Sequence, residues 1–248
     1  MMKISELAEA VRDFWRPNRY KLEKYLVNDG KEHPFALICP GGGYSMVCSF
    51  VEGQPYAKEL NRRGYHAFVL FYRVKGKARM PAPQEDVARA VKEMFDHSAE
   101  WKADTRCWSL WGSSAGGHLA ASFSAEVAEE LRPGALILTY PVITMGGATH
   151  SGSRDLLLGK DPTPDQIDRM SVEKHVTAQY PPTFIWYGTE DKTVPPENSR
   201  EMARSLKAAG VPYCLEEYPG IGHAVGLGKG STCEPWFGHA VSFWEEQR

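Results

Sequence analysis

The sequence predicts an α/β fold with a mostly parallel sheet and helices on both faces. Apolar segments typical of buried strands alternate with helical segments along almost the whole chain, an order that builds parallel sheets. The stretch Gly112–Gly116 follows one apolar run and opens a helical one, so it predicts a strand, a sharp turn and a helix. Ligands of such sheets bind at the carboxyl ends of the strands, so functional side chains are expected in the loops that leave there.

The elements of the first half follow from the spacing of their apolar residues. Residues 1–15 have apolar side chains at helical spacing interrupted by charges, which predicts a short amphipathic helix rather than an export signal. The predicted strands are 21–27, at an edge of the sheet, 35–39, 65–72 and 107–111. The predicted helices are 52–63, which Gly64 stops, and a long one whose inward face is formed by Val87, Ala90, Val91, Met94 and Phe95.

The second half continues this order around one irregular segment. The predicted elements are a helix over 115–130, strands over 134–140, 183–187 and 213–218, a helix over 197–209 and a final helix from about Pro235. Residues 142–181 break the alternation, because they are rich in glycine and proline and offer only a short helix near 165–170. We therefore predict one domain over 1–248, with a lid or cap insertion within 142–181.

Composition limits the classes of function. Hydrophobic residues make up 42% of the chain, charged residues 24%, and the net charge is −2, which is typical of a soluble globular protein. There is no basic field to grip a phosphate backbone and no apolar run near the ~20 residues of a membrane span, so neither nucleic acid nor a membrane is an expected partner. Five cysteines without a CxxC pair fit a reducing compartment and predict a cytoplasmic protein, although removal of an export signal would leave the same pattern.

Three loops contain residues suited to nucleophilic catalysis. Ser114 stands at the centre of the Gly-x-Ser-x-Gly turn, which exposes a hydroxyl beside the start of a helix. A serine nucleophile needs a base and an acid that orients the base, and Asp191 and His223 each follow closely after a predicted strand. This chain order is the one expected for such a sheet, so these three are the predicted catalytic residues. Ser113 and Glu190 are the neighbouring rivals for the nucleophile and the acid.

These motifs identify the chain, over nearly its whole length, as a member of the α/β-hydrolase superfamily. Within it, Pro40–Tyr44, Glu52-Gly53, Phe71–Val74 and Pro83–Asp86 resemble the small bacterial esterases related to acetylxylan and feruloyl esterases, which have dienelactone-hydrolase-like topology. The resemblance implies removal of acetyl or other small acyl groups from carbohydrates. Pro40 stands where the lipase-like branch has a histidine, which leaves open which of the following glycines are used.

The glycine run after Pro40 predicts an oxyanion hole. Acyl transfer builds negative charge on the carbonyl oxygen, and a loop without side chains can aim backbone N–H groups at that charge. The expected donors are the amides of Ala115 and of Gly42 or Gly43.

Side chains around these loops are candidates for substrate contact. Tyr44 and Arg73 are the predicted contacts, and an ion pair between Arg73 and Glu52 that braces the oxyanion loop is the favoured alternative for the arginine. A sugar-stacking surface could be formed by Trp111, Trp186 and Trp236, for which packing in the core is the alternative.

The sequence thus predicts a serine carboxylesterase that acts through an acyl-enzyme on small acyl esters, with acetylated xylo-oligosaccharides as the expected substrate class. No metal and no organic cofactor is expected. An amide-cleaving member of the same fold, either a small peptidase or an arylformamidase, is the rival enzyme, and a catalytically silent binding protein is the rival outside enzymes. Acyl-chain length, the alcohol and the oligomeric state stay open, and a homo-oligomer is compatible with the sequence.

Overall fold

The computed structural model describes residues 20–248, and its sheet has seven strands. Numbered along the chain, the strands are β1 (Lys21–Tyr25), β2 (His33–Cys39), β3 (His66–Phe71), β4 (Ala103–Ser113), β5 (Ala135–Thr139), β6 (Thr183–Gly188) and β7 (Tyr213–Tyr218). Their order across the sheet is β1-β3-β2-β4-β5-β6-β7. The edge strand β1 pairs antiparallel with β3, and every other pairing is parallel. The predicted α/β class is confirmed, and the predicted N-terminal helix over 1–15 lies outside the described residues.

The helices lie between the strands as the alternation predicts. They are α1 (Ser49–Glu52), α2 (Gln54–Arg62), α3 (Ala82–Asp96), α4 (Ser98–Trp101), α5 (Ser114–Glu126), α6 (Ser151–Leu158), α7 (Pro164–Met170), α8 (Glu197–Ala209) and α9 (Trp236–Glu245), with short 3₁₀ turns at Lys75–Lys77, Glu129–Leu131 and Val172–Lys174. Every residue of β3, β5 and β6 is buried, so the middle of the sheet is covered on both faces. None of the helices in residues 20–248 is long and apolar enough to span a membrane.

Some predicted boundaries are wrong for identifiable reasons. The helix predicted over 52–63 begins only at Gln54, because Gly53 leaves helical geometry, packs closely on the sheet and separates this helix from α1. A Cβ built on it would lie 2.8 Å from Val69 Cγ1. Helix α6 was not predicted, since its first residues, Ser-Gly-Ser, are poor helix formers. Its N-cap is the side chain of His150, which accepts a hydrogen bond from the Ser153 amide.

The parallel strands bring the candidate loops to one edge of the sheet. Strand β2 ends where Pro40 begins the glycine run, and β4 ends immediately before Ser114. Strands β6 and β7 end shortly before Asp191 and His223. The residues predicted for catalysis are therefore contributed by neighbouring carboxyl ends, as this topology requires.

Candidate active site

Ser114 occupies a strained turn at the junction of β4 and α5. Its φ is 52°, in the left-handed region that residues with a Cβ rarely adopt. The flanking glycines make room for this turn: a Cβ on Gly116 would overlap the carbonyl oxygens of Cys39 and Pro40, and a Cβ on Gly112 would overlap the carbonyl oxygen of Gly116. The turn therefore exists only because both positions lack a side chain.

Ser114, His223 and Asp191 are joined by a continuous hydrogen-bond relay. The distance from Ser114 Oγ to His223 Nε2 is 2.8 Å, and His223 Nδ1 lies 2.6 Å from Asp191 Oδ2. Because Asp191 only accepts in its ionised form, His223 Nδ1 carries the proton, and Nε2 is left to accept from the serine hydroxyl. The structure thus brings together, within hydrogen-bond distance of one another, the three residues predicted for catalysis.

The surroundings of Asp191 determine which of its two oxygens faces His223. Asp191 is 7% exposed, and its Oδ1 accepts the backbone amides of Thr193 and Val194, each at 2.9 Å. Those two bonds leave Oδ2 for the imidazole. The ring of Tyr140 packs edge-on against His223, with 4.8 Å between ring centroids.

The glycine loop leaves free amides beside Ser114. The Gly41 carbonyl accepts from the Cys48 amide, and the Gly42 carbonyl accepts from the amides of Ser45 and Met46. In a trans peptide the N–H points opposite to the C=O, so the amides of Gly42 and Gly43 point away from these bonds. Among residues 20–248 neither amide has a protein acceptor.

The remaining predicted oxyanion donor lies at the start of helix α5. Ala115 is the second residue of that helix, so its amide has no intrahelical partner. The loop also lies close to the nucleophile, since a Cβ built on Gly41 would be 2.9 Å from Ser114 Cβ. The arrangement is compatible with the oxyanion hole predicted for Ala115 with Gly42 or Gly43.

The predicted substrate contact of Tyr44 is not seen, because its side chain is completely buried. A positive φ of 57° turns the residue inward, where its hydroxyl lies 2.8 Å from His118 Nδ1. His118 Nε2 lies 2.8 Å from the Met170 carbonyl, which can only accept. Nε2 therefore carries a proton, and the imidazole links the glycine loop and helix α5 to the end of helix α7.

His118 makes stability depend on pH. Burial lowers the pKa of His118 to about 4, so between that value and about 6.5 the unfolded chain binds a proton that the folded chain excludes. We expect the free energy of unfolding to fall by roughly 3 kcal/mol as the pH drops across this window, from this group alone. Urea unfolding of the wild type and His118→Gln at several pH values measures the difference. Equal pH dependence in the two proteins would contradict the assignment.

Arg73 and Glu52 do not form the predicted ion pair. The Arg73 guanidinium instead binds the carboxylates of Asp86, at 3.0 Å, and Glu85, at 2.8 Å. It also donates to the Ala82 carbonyl. These bonds tie the end of β3 to the start of helix α3 and leave the guanidinium engaged away from Glu52, whose own partners are Gly41 and Tyr140.

The three tryptophans lie in the core. Trp111, Trp186 and Trp236 are at most 1% exposed, so core packing replaces the predicted stacking surface.

His150, which precedes helix α6, lies beside the glycine loop and was not predicted from the sequence. A Cβ built on Gly43 would be 3.6 Å from His150 Cε1. Burial and the charge of His223 lower the pKa of His150, while Asp191 raises it. Nδ1 accepts from the Ser153 amide, so Nε2 carries the proton. Its position in an irregular segment gave no periodic signal from which to predict it.

Comparison with known proteins shows the family to which the chain belongs. A family model described as the alpha/beta hydrolase fold matches residues 37–227. This chain belongs to the α/β-hydrolase family. The superfamily predicted from Gly112–Gly116 and the loops of Asp191 and His223 is therefore confirmed.

Two curated relatives are named for xylan. The chain is 33% identical to endo-1,4-beta-xylanase B of Butyrivibrio fibrisolvens over 100% of its own length and 42% of that protein. It is 33% identical to an acetylxylan esterase of Xylanibacter ruminicola over 76% of its own length and 40% of that protein. The chain thus spans less than half the length of these curated relatives.

A solved structure matches over most of both chains. The acetyl ester-xyloside bifunctional hydrolase of Caldicellulosiruptor lactoaceticus is 32% identical, with a TM-score of 0.86 over 93% of this chain and 89% of that one. The predicted resemblance to acetylxylan esterases is confirmed at the level of the sequence and the fold.

Proposed function

We propose that this protein is a serine carboxylesterase that removes acetyl groups from carbohydrates such as acetylated xylo-oligosaccharides. The observation that carries the proposal is the relay from Ser114 through His223 to Asp191, at a strained turn beside unoccupied backbone amides. The names of the relatives support the choice of substrate, because one is an acetylxylan esterase and another is an acetyl ester-xyloside bifunctional hydrolase.

The chemistry follows from the positions of these groups. Ser114 Oγ attacks the ester carbonyl while His223 Nε2 takes its proton. Asp191 holds the imidazole and stabilises its charged form. The amides of Ala115 and of Gly42 or Gly43 donate to the oxygen on which charge develops. His223 returns the proton to the leaving alcohol, and water then hydrolyses the acyl-enzyme by the same steps.

A panel of substrates tests the proposal. Acetylated xylo-oligosaccharides, butyryl esters, feruloyl esters and aminoacyl anilides are compared by kcat/KM with the purified protein. We expect the acetylated sugars to give the highest value. Faster turnover of the anilides would favour the amide-cleaving rival, and absence of both turnover and fluorophosphonate labelling would favour a catalytically silent binding protein.

His150 is the side chain we expect to separate sugar esters from simple ones. Its Nε2–H has no hydrogen-bond partner among residues 20–248 and lies on an imidazole next to Gly43. A bond from it to a sugar hydroxyl would be worth about 1 kcal/mol, so His150→Ala should raise KM for acetylated xylo-oligosaccharides about 5-fold.

The control for this prediction has two parts. Phenyl acetate lacks a sugar, so its KM should change less than 2-fold or so in His150→Ala. His239, an exposed histidine on helix α9 bound to Glu216, supplies a matched variant, His239→Ala, that should leave both substrates unaffected. Equal changes for both esters in His150→Ala would contradict the assigned role.

A further inference from the structure

Glu52 is a buried carboxyl whose two oxygens both accept hydrogen bonds next to the candidate active site. It is 1% exposed. Oε2 accepts the Gly41 amide at 2.7 Å, and Oε1 accepts the Tyr140 hydroxyl at 2.8 Å. Among residues 20–248 no lysine or arginine pairs with it. Burial raises the pKa of Glu52, while the bonds from Tyr140 and Gly41 and the charge of His223 lower it.

A carboxyl in this position is costly to folding. Removing it from water without a cation partner costs free energy that an apolar side chain of similar size would not. The residues that Glu52 contacts indicate a role in the candidate active site. Gly41 is the first glycine of the glycine loop. A Cβ built there would lie 2.6 Å from Glu52 Oε2 and 2.9 Å from Ser114 Cβ. The carboxylate therefore lies directly behind the point where the loop touches the nucleophile.

The two hydrogen bonds of Glu52 connect the glycine loop to Tyr140, whose ring packs against the imidazole of His223. Gly41 is held on one side by Glu52 and on the other by the Cys48 amide, which donates to its carbonyl. This fixes the peptide planes that follow, at Gly42 and Gly43. Tyr140, the second partner, packs its ring against His223. One side chain thus contacts both the glycine loop and the residue that packs against His223.

We propose that Glu52 is a positioning residue that holds the Gly41 amide and so aims the oxyanion donors at the carbonyl oxygen above Ser114. The inference rests on the proposed esterase function and deepens it. Positioned donors act mainly in the transition state, because the charge on the oxygen develops there. Loss of Glu52 should therefore lower kcat and leave KM nearly unchanged.

Substitutions at Glu52 test the inference with phenyl acetate. Glu52→Ala should lower kcat about 100-fold, as loss of an oxyanion donor does, with KM within about 3-fold of wild type. Glu52→Gln keeps an oxygen for Gly41 and can donate to the Tyr140 oxygen, so kcat should stay within about 10-fold. If Glu52→Ala cannot be purified, Glu52→Asp replaces it, since the shorter side chain cannot span both partners and should lose at least about 10-fold.

The matched control is Asp104→Ala. Asp104 is another buried carboxylate, but it lies at the amino end of β4 and pairs with Arg106. Its removal should lower stability and leave kcat unaffected. Equal losses of kcat in the Asp104 and Glu52 variants, or a loss in Glu52→Gln as large as in Glu52→Ala, would overturn the inference.

The rate of labelling by a fluorophosphonate probe separates this inference from the proposed function. Phosphonylation of Ser114 needs the oxyanion amides but no ester turnover, so Glu52→Ala should label about 100-fold more slowly. If the wild type labels but hydrolyses no ester, the esterase proposal fails, and these labelling rates alone decide the role of Glu52. If all Glu52 variants label and turn over like the wild type, only the inference fails. A wild type that neither labels nor hydrolyses overturns both.

Discussion

Replacement of Ser114 by alanine should lower kcat for phenyl acetate by about 10⁴-fold or more, with KM nearly unchanged. The expected loss is large because the relay then has a base and no nucleophile. Helix α5 and the turn should persist, since the Ser114 carbonyl still accepts the Val142 amide. Circular dichroism and the unfolding midpoint check that the variant is folded.

Ser113 provides the matched control, because it is the adjacent serine and the rival nucleophile. Its Oγ accepts a hydrogen bond from Thr139 Oγ1 at 2.7 Å and lies apart from the relay. Ser113→Ala should lose less than about 10-fold in kcat. If instead Ser113→Ala is inactive and Ser114→Ala retains more than a few per cent of kcat, the assignment of the nucleophile is wrong.

Replacement of Asp191 by asparagine should lower kcat by about 10⁴-fold, through the tautomer of the imidazole rather than through its position. The amides of Thr193 and Val194 both donate to Asp191 Oδ1, so the asparagine oxygen should remain there. The NH₂ group then faces His223 Nδ1, which must accept. His223 Nε2 would carry the proton and could no longer take one from Ser114.

Glu190 is the control for this variant, because it is the neighbouring acid and the rival for the orienting role. No hydrogen bond joins its side chain to His223 among residues 20–248. Glu190→Gln should therefore keep kcat within about 3-fold of wild type. Near wild-type kcat in Asp191→Asn would contradict the relay.

The three residues of the relay and the glycine run were predictable from the sequence, whereas the contacts of the surrounding side chains were not. Ser114, Asp191 and His223 could be predicted because each has a reactive side chain just beyond a predicted strand, and parallel strands bring such positions together. The glycine run could be predicted because glycines allow close approach of the backbone. Both inferences need only the residue types and their positions along the chain.

The contacts of Tyr44, Glu52 and His150 could not be predicted, because the sequence does not show in which direction the chain turns at these residues. Tyr44 follows two glycines with positive φ and itself has a φ of 57°, which sends its side chain into the core. Glu52 turns toward Gly41 because α1 ends there and Gly53 changes the chain direction. His150 depends on the path of the irregular segment. Pairing of opposite charges suggested Arg73 for Glu52, but Asp86 and Glu85 are the nearer acids in the fold.

The location of the acyl group during turnover tests the proposed mechanism most directly. The wild type is mixed with an acetylated xylo-oligosaccharide, quenched in acid within the first turnovers, digested and analysed by mass spectrometry, while released acetate is measured in parallel. We expect an acetyl group on the peptide that contains Ser114, and neither that adduct nor acetate release in Ser114→Ala. Acetate released at equal rates by both proteins, or an acetyl group on another residue, would contradict the mechanism.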